Sequence, residues 1–200
     1  QDVAGHEELE HYVGRSVGDI GAEEGKHHIE VMLDLSLKGD LNVEFLGPDK
    51  GSNAEFMGEM MNDSDYAIPG VSDGGAHTKF FTGGSYTTDF LSWLVRDENV
   101  VSLEEAHYRL SNLPAQAAGF RDRGVLHEGA AADIVVYDLN ELSIDPPWIG
   151  NIEHDLPAGE WRRVQRAIGY KAIIVNGEVT FEDGNCTGAT PGRLLRHGEG

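Results

Sequence analysis

Cysteine, basic residues and long apolar runs are all scarce in this sequence. A single cysteine, Cys186, excludes an internal disulfide and fits a reducing compartment. Lys and Arg number 15 against 35 Asp and Glu, so the net charge is −20. A surface this negative repels phosphate groups, and we therefore expect no binding to nucleic acid or to an anionic membrane surface.

No apolar run approaches the roughly 18 residues that span a bilayer. Residues 1–10 contain four acidic residues and no Lys or Arg. Because a secretory signal peptide begins with a basic region, we expect none here. Together with the single cysteine, these features favour a cytoplasmic location.

The 200 residues are 40% hydrophobic and 25% charged, which is ordinary for a globular protein of one domain or two small ones. Residues 1–119 alternate helical patterns with short strand patterns. Residues 120–200 are richer in strand and turn signals. This order predicts an α/β architecture with a change of character at residue 119.

Helices are predicted where strong helix formers or capping residues precede apolar spacing. Residues 28–37 are ambiguous, because several apolar residues alternate as in a strand, but their length and composition favour a buried helix. Phe56, Met57, Met60 and Met61 share one face of the helix predicted after residue 55. The predicted helices cover residues 17–24 and 28–37, the segment after a capping box at 52–55, residues 86–96, and the segment after a second capping box at 102–105.

Short apolar runs predict strands at residues 42–46, 66–72, 133–137, 172–175 and 178–181. Asn176-Gly177 separates the last two runs. Asn-Gly between apolar runs is a strong hairpin signal, since both turn residues need positive φ.

Asp73 is the first candidate functional residue, because it follows the predicted buried strand 66–72 and precedes two glycines. In parallel α/β folds, functional side chains lie at the carboxyl ends of strands. A carboxylate there can bind a metal or accept a proton from metal-bound water. The alternative is a turn residue that caps backbone N–H groups, and spacing alone favours that alternative.

His77 and Lys79 follow in the same predicted loop. His77 can bind metal or substrate, or transfer protons, although an ordinary loop histidine is the simpler interpretation. Lys79, with residues 82–85, can form an anion-holding loop, but the glycine pair there matches no phosphate-binding motif. His6 with His11, the adjacent pair His27 and His28, and Cys186 are interpreted as structural or surface residues, because their spacing suits no metal site.

Several segments together resemble the amidohydrolase superfamily, in particular its N-acyl-D-amino-acid deacylase branch. Val71-Ser-Asp73-Gly-Gly-Ala-His77 is similar to the family's eighth-strand motif. The other similar segments, in order, are residues 102–106, 112–119, 123–136, 175–184 and 187–193. The likeness covers residues 65–196 well and residues 10–64 loosely.

The resemblance implies the C-terminal part of a metal-dependent (β/α)8 TIM barrel followed by a small β-sandwich domain. It implies that zinc activates water to attack an amide carbonyl. Asp73 would contact the metal and carry the proton from the water to the leaving amine. Lys79 lies where the family often has an arginine that grips the substrate carboxylate, so D-amino-acid specificity is open. His77 would be a second substrate contact.

The resemblance also implies that the remaining metal ligands lie upstream of Gln1, because the nine histidines include no His-x-His. We therefore expect a part of a hydrolase that cleaves the amide C–N bond of an N-acylated small molecule such as an N-acyl-D-amino acid, inactive alone. The alternatives are a non-catalytic relic or interaction domain with the same scaffold, or a subunit that completes its site with another chain. We expect self-association or a missing partner segment, since a partial barrel leaves a sheet edge and apolar surface uncovered.

Overall fold

The computed structural model describes residues 2–47, 53–70, 72, 78–79, 83–147 and 150–198. The chain forms two compact units, Gln1–Ser52 and Asn53–Gly200. Among the described residues, the α- and π-helices end at Ala117, and the strands begin at Ile134, with one 3-10 helix, Pro157–Gly159, among the strands. The mixed α/β class is therefore confirmed. The barrel, the sandwich and the domain boundary at residue 119 stay predictions.

The first unit is built from a 3-10 helix, Glu7–Tyr12, and two α-helices. Helix α1 is Val17–Glu24, and α2 is His28–Lys38, which confirms the predicted helix. The prediction that it is buried is wrong, since Leu33 and Leu37 are 60% and 70% exposed. Its core is formed by Val3, Leu9, Ile20, Val31 and Leu35. The strand predicted at 42–46 is wrong. Glu44 makes a single strand-like bridge, to Asp2. A turn with positive φ at Asp40 and Leu41 comes directly before the predicted strand, and this conformation is not extended.

The helices of the second unit contain two π-helical segments. The unit begins with α3, Ala54–Asp63, and its long second helix is continuous from α4 through the first π segment. A second π segment joins α5 to α6 in the same way. The bounds are α4, Tyr86–Asp89; the first π segment, Phe90–Asp97; α5, Leu103–His107; the second π segment, Tyr108–Asn112; and α6, Leu113–Ala117.

The capping predictions are partly corrected by the structure. Asn53 caps α3, with its side-chain oxygen accepting from the Phe56 N–H at 2.8 Å. Ser102 caps α5 as predicted, accepting from the Glu105 N–H at 3.1 Å. The shared apolar face predicted for α3 is wrong, since Phe56 is 61% exposed while Met61 is buried. The face that packs inward contains Gly58 and Met61.

The strand predicted at 66–72 is also not observed among its described residues, 66–70 and 72. Tyr66 is 86% exposed, so this run is not the buried strand that its apolar letters suggested. Pro69 lacks a backbone N–H, and Gly70 has a φ of +133° that breaks an extended ladder. Val71 lies outside the described residues.

The strands form three antiparallel groups. A four-stranded sheet has the order β1-β6-β7-β8, and two pairs are β2-β5 and β3-β4. Asn176 and Gly177 have positive φ between β6 and β7, which confirms the predicted hairpin. The strands are β1, Ile134–Tyr137; β2, Ser143–Asp145; β3, Asn151–Glu153; β4, Arg162–Val164; β5, Arg166–Ile168; β6, Tyr170–Val175; β7, Glu178–Glu182; and β8, Asn185–Cys186.

The core of the second unit lies among the helices. Its buried members are Met61, Phe90, Leu91, Leu94, Val95, Val101, Ala106 and Leu142. In contrast, no residue of the eight described strands is buried. A search of the described helices finds none that is both long and apolar enough to cross a membrane.

Candidate functional site

Lys79 is the predicted site residue that the structure describes. Asp73 and His77 lie outside the described residues, and their predicted roles stay predictions. The Lys79 ammonium forms an ion pair with Glu160. Its Nζ also lies 5.1 Å from the ring centroid of Trp161, within the range of a cation–π contact. Lys79 and Glu160 are 47% and 56% exposed, so solvent reaches both charges.

Arg163, in β4, holds the backbone on which Lys79 is carried. Its backbone N–H donates to the Thr78 carbonyl at 2.7 Å, and its Nε donates to the Lys79 carbonyl at 3.0 Å. Its Nη1 donates to the Gly150 carbonyl at 3.3 Å. Hydrogen bonds from a charged donor are stronger than neutral ones. The segment 78–79 is thus fixed to a strand that lies more than eighty residues later in the chain.

Glu160, Trp161 and Arg163 were not predicted as site residues. A tryptophan between an acid and two arginines was the available signal, because such a ring offers a surface to cations. The signal did not connect these residues to Lys79, since nothing in the local sequence pairs β4 with residues 78–79. The site therefore consists of the exposed ammonium of Lys79, the aromatic face of Trp161 beside it, and the Glu160 carboxylate that forms an ion pair with this ammonium.

The histidines and the cysteine that were interpreted as structural or surface residues form no functional cluster. His27 caps α2, its Nδ1 accepting from the Ile29 N–H at 3.3 Å. His6 Nδ1 lies 3.3 Å from Glu8 Oε1. Cys186 is exposed and unpaired. Within the described ranges, no three His, Cys, Asp or Glu side chains lie together as a metal site would need.

The chain belongs to the amidohydrolase family, whose sequence model matches residues 2–181. D-aminoacylase of Alcaligenes xylosoxydans xylosoxydans is 28% identical over 182 residues, which cover 91% of this chain and 34% of that protein. N-acyl-D-glutamate deacylase of the same organism is 33% identical over 113 residues, covering 56% of this chain and 20% of that protein.

The fold is similar to a crystal structure of D-aminoacylase, with a TM-score of 0.57 and 24% identity. The match covers 94% of this chain and 36% of that one. A second D-aminoacylase structure, described as having a binuclear metal centre, matches with a TM-score of 0.55 and 23% identity, covering 92% of this chain and 35% of that one. The matches therefore span about a third of the length of the D-aminoacylases and 20% of the length of the glutamate deacylase.

Proposed function

We propose that this chain is part of a metal-dependent amidohydrolase that cleaves the amide C–N bond of an N-acylated small molecule, such as an N-acyl-D-amino acid. The observation that carries the proposal is the family match, which runs through residues 2–181. The likeness to D-aminoacylase over 91% of the chain supports N-acyl-D-amino acids as the substrate class. In this proposal Asp73 is the metal-contacting and proton-carrying residue, and His77 contacts substrate.

Lys79 is proposed to hold the carboxylate of the substrate. Its ammonium is exposed, and its backbone is fixed by Arg163. The Glu160 carboxylate forms an ion pair with this ammonium. A substrate carboxylate must therefore displace Glu160 from Lys79. An exposed ion pair contributes only about 0–1 kcal/mol, and displacement is therefore inexpensive. Trp161 provides an apolar face next to the ammonium.

The metal is proposed to be zinc, but the described residues do not fit a complete zinc site. No group of three ligands occurs among them, and Asp73 alone cannot supply the three or four ligands that zinc needs. The described part of the chain contributes substrate contacts. We expect the purified chain alone to hold no stoichiometric zinc after dialysis and to release no amine from N-acetyl-D-leucine. Stoichiometric zinc together with turnover would contradict this.

Substrate binding can be tested without turnover by titrating the labelled chain with N-acetyl-D-leucine and following the indole N–H of Trp161 by NMR. Trp161→Phe assigns the signal. We expect Glu160→Gln to bind about two to five times more tightly, because the competing carboxylate is removed. Lys79→Met should abolish the shift.

Glu178→Gln is the matched control, because Glu178 is an exposed acid in β7 and lies outside this cluster. Its affinity should equal that of the wild type. An unchanged affinity in both Glu160→Gln and Lys79→Met would refute the role given to Lys79. N-acetyl-L-leucine, titrated in parallel, tests the D-amino-acid preference.

A partner polypeptide or a second copy is also part of the proposal. Val135, Ile152 and Ile168 are each about half exposed on strands that bury no residue. Apolar strand surfaces of this kind favour association. We expect light scattering to show self-association as the concentration rises, and a monomer at high concentration would count against it.

A further inference from the structure

A cavity of about 490 Å³ lies in the second unit, between the helices and the four-stranded sheet. This volume lies within the range of about 300–1,000 Å³ that is typical of small-molecule sites. Apolar side chains from both layers form most of its wall: Leu91 and Leu110 from the helices, and Val135, Ile173 and Phe181 from the sheet. Lys79 does not line it, so the cavity is separate from the site described above.

Polar groups in the cavity form two hydrogen-bonded pairs. His107 Nε2 lies 2.6 Å from the Tyr137 hydroxyl, and Thr88 Oγ1 lies 2.9 Å from the Tyr170 hydroxyl. The two tyrosine rings are tilted against each other with centroids 6.1 Å apart. All four residues line the cavity. A mostly apolar wall with a few convergent polar groups is the usual composition of a ligand site.

Both π-helical segments contribute to the wall. Leu91 belongs to the first, and Leu110 and Ser111 belong to the second. π-Helical residues are well under about 1% of those in globular proteins, and they occur frequently at functional sites. Two such segments facing one cavity are therefore an observation independent of its volume and chemistry.

The charge of the wall restricts the ligand. None of the described residues that line the cavity is Asp, Glu, Lys or Arg. An anionic ligand would lose its hydration without gaining a cationic partner, and a cationic ligand would gain no carboxylate. A neutral ligand avoids both costs. Its ring can pack against Tyr137, Tyr170 and Phe181, since aromatic pairs add to the gain from burial.

We propose that this cavity is a binding site for a neutral, mostly apolar small molecule with an aromatic ring and one hydrogen-bonding group. The hydroxyls of Tyr137 and Tyr170 and the imidazole of His107 are the groups that the ligand's polar atom contacts. The site does not depend on amide hydrolysis by the chain. A result that the cavity binds no ligand would therefore leave the proposed function unaffected.

The test uses two fluorescent probes that differ by one charge. N-phenyl-1-naphthylamine is neutral, and 8-anilino-1-naphthalenesulfonate carries a sulfonate on the same scaffold. We expect the full chain to bind the neutral probe saturably, one per chain, and at least tenfold more tightly than the anionic one. Equal affinity for the two probes would overturn the proposal, since no Lys or Arg lines the described wall to compensate the sulfonate.

Cavity-filling variants locate the binding. Ala167→Phe adds a ring at an exposed lining residue of β5, and Ala117→Phe adds the same ring at an exposed residue of α6 outside the cavity. We expect at least a tenfold loss of affinity in the first and no change in the second. Ser111→Leu, also at an exposed lining residue, replaces Ala167→Phe if that variant does not fold.

Undiminished binding in Ala167→Phe, or in Ser111→Leu where it replaces that variant, would overturn the proposal. The alternative occupant of the cavity is a second copy of the chain, and light scattering on the same samples shows whether a dimer forms. Probe binding that falls as a dimer forms would assign the cavity to that copy instead.

Discussion

Asp133→Asn is expected to destabilise the second unit, because it removes the nearer of two carboxylates that pair with the buried Arg123. The Arg123 side chain is 8% exposed and forms an ion pair with the Asp133 carboxylate. Its Nη2 donates to Asn176 Oδ1 at 2.9 Å, and its Nε has no hydrogen-bond partner. Without the Asp133 carboxylate, the buried guanidinium keeps only a longer ion pair, in which Asp122 Oδ1 lies 3.6 Å from Nε.

Breaking a buried ion pair costs about 3–5 kcal/mol. The Asp133 side chain is 33% exposed, so water replaces part of the lost interaction. We therefore expect Asp133→Asn to lower the free energy of unfolding by about 2–3 kcal/mol. The variant also weakens the acceptor at Asp133 Oδ1, which takes the Asn176 backbone N–H at 2.7 Å. In thermal unfolding the melting temperature should fall by about 4–10 °C.

Urea unfolding followed by circular dichroism measures the loss. Glu141→Gln is the matched control, since Glu141 pairs with Lys171 but both side chains are about half exposed, and its cost should stay below about 1 kcal/mol. The double variant Arg123→Met, Asp133→Leu should cost less than Asp133→Asn, because it leaves no buried charge behind. Equal stability of wild type and Asp133→Asn would refute the reasoning.

The pH dependence of the same difference has a definite sign. Burial raises the pKa of the Asp133 carboxyl. The Asn176 backbone N–H and the Arg123 guanidinium together lower this pKa by more than burial raises it, so the pKa lies below its usual value. A lowered folded-state pKa stabilises the fold above the unfolded pKa of about 3.9, and this stabilisation is lost as the pH falls through the folded value. The gap between wild type and Asp133→Asn should be full at neutral pH and narrow below about pH 4.

Three further variants test local geometry by urea unfolding. Ser102→Ala removes the acceptor for the Glu105 N–H and should cost about 1 kcal/mol, whereas no loss would remove the cap as a source of stability. Gly124→Ala places a Cβ 2.7 Å from the Ser111 carbonyl oxygen at a φ of +79°. We expect it to cost about 2–3 kcal/mol, and Gly188→Ala, where φ is +86° and no atom lies within 4 Å, only about 1 kcal/mol. Equal costs would show that crowding contributes nothing.

Features encoded within a few residues of sequence could be predicted. The Asn176-Gly177 hairpin and the Ser102 cap depend on turn and capping chemistry that acts over two to four residues, and both are observed. Helix α2 could be predicted because its length and its strong helix formers outweigh the alternating apolar pattern. The strand at 66–72 could not, because an apolar run becomes a strand only if a neighbour pairs with it, and Pro69 and Gly70 oppose such pairing.

The candidate site could be predicted only in part, for the same physical reason. Lys79 could be predicted as a candidate because it lies in the loop after a predicted strand. Its contacts with Glu160 and Trp161 could not, because they depend on the position of β4. The cavity depends on two π segments, and a π turn leaves almost the same apolar spacing in sequence as an α turn. Long-range packing and one-residue changes of helical pitch are both invisible to local patterns.

Arginine side chains, together with Leu142 and the apolar residues packed around it, hold the strand region to the remainder of the second unit. Leu142 is the buried apolar anchor there, and Arg96 donates to its carbonyl at 2.5 Å and to the Leu139 carbonyl at 3.1 Å. Arg123 and Arg163 make comparable bonds to the hairpin and to residues 78–79. Hydrogen bonds of a charged group contribute about 1.5–3 kcal/mol each and fix direction without a covered sheet. A polypeptide that covers the exposed strands would therefore add apolar burial without breaking these bonds, which is why association and an intact fold of this chain are compatible.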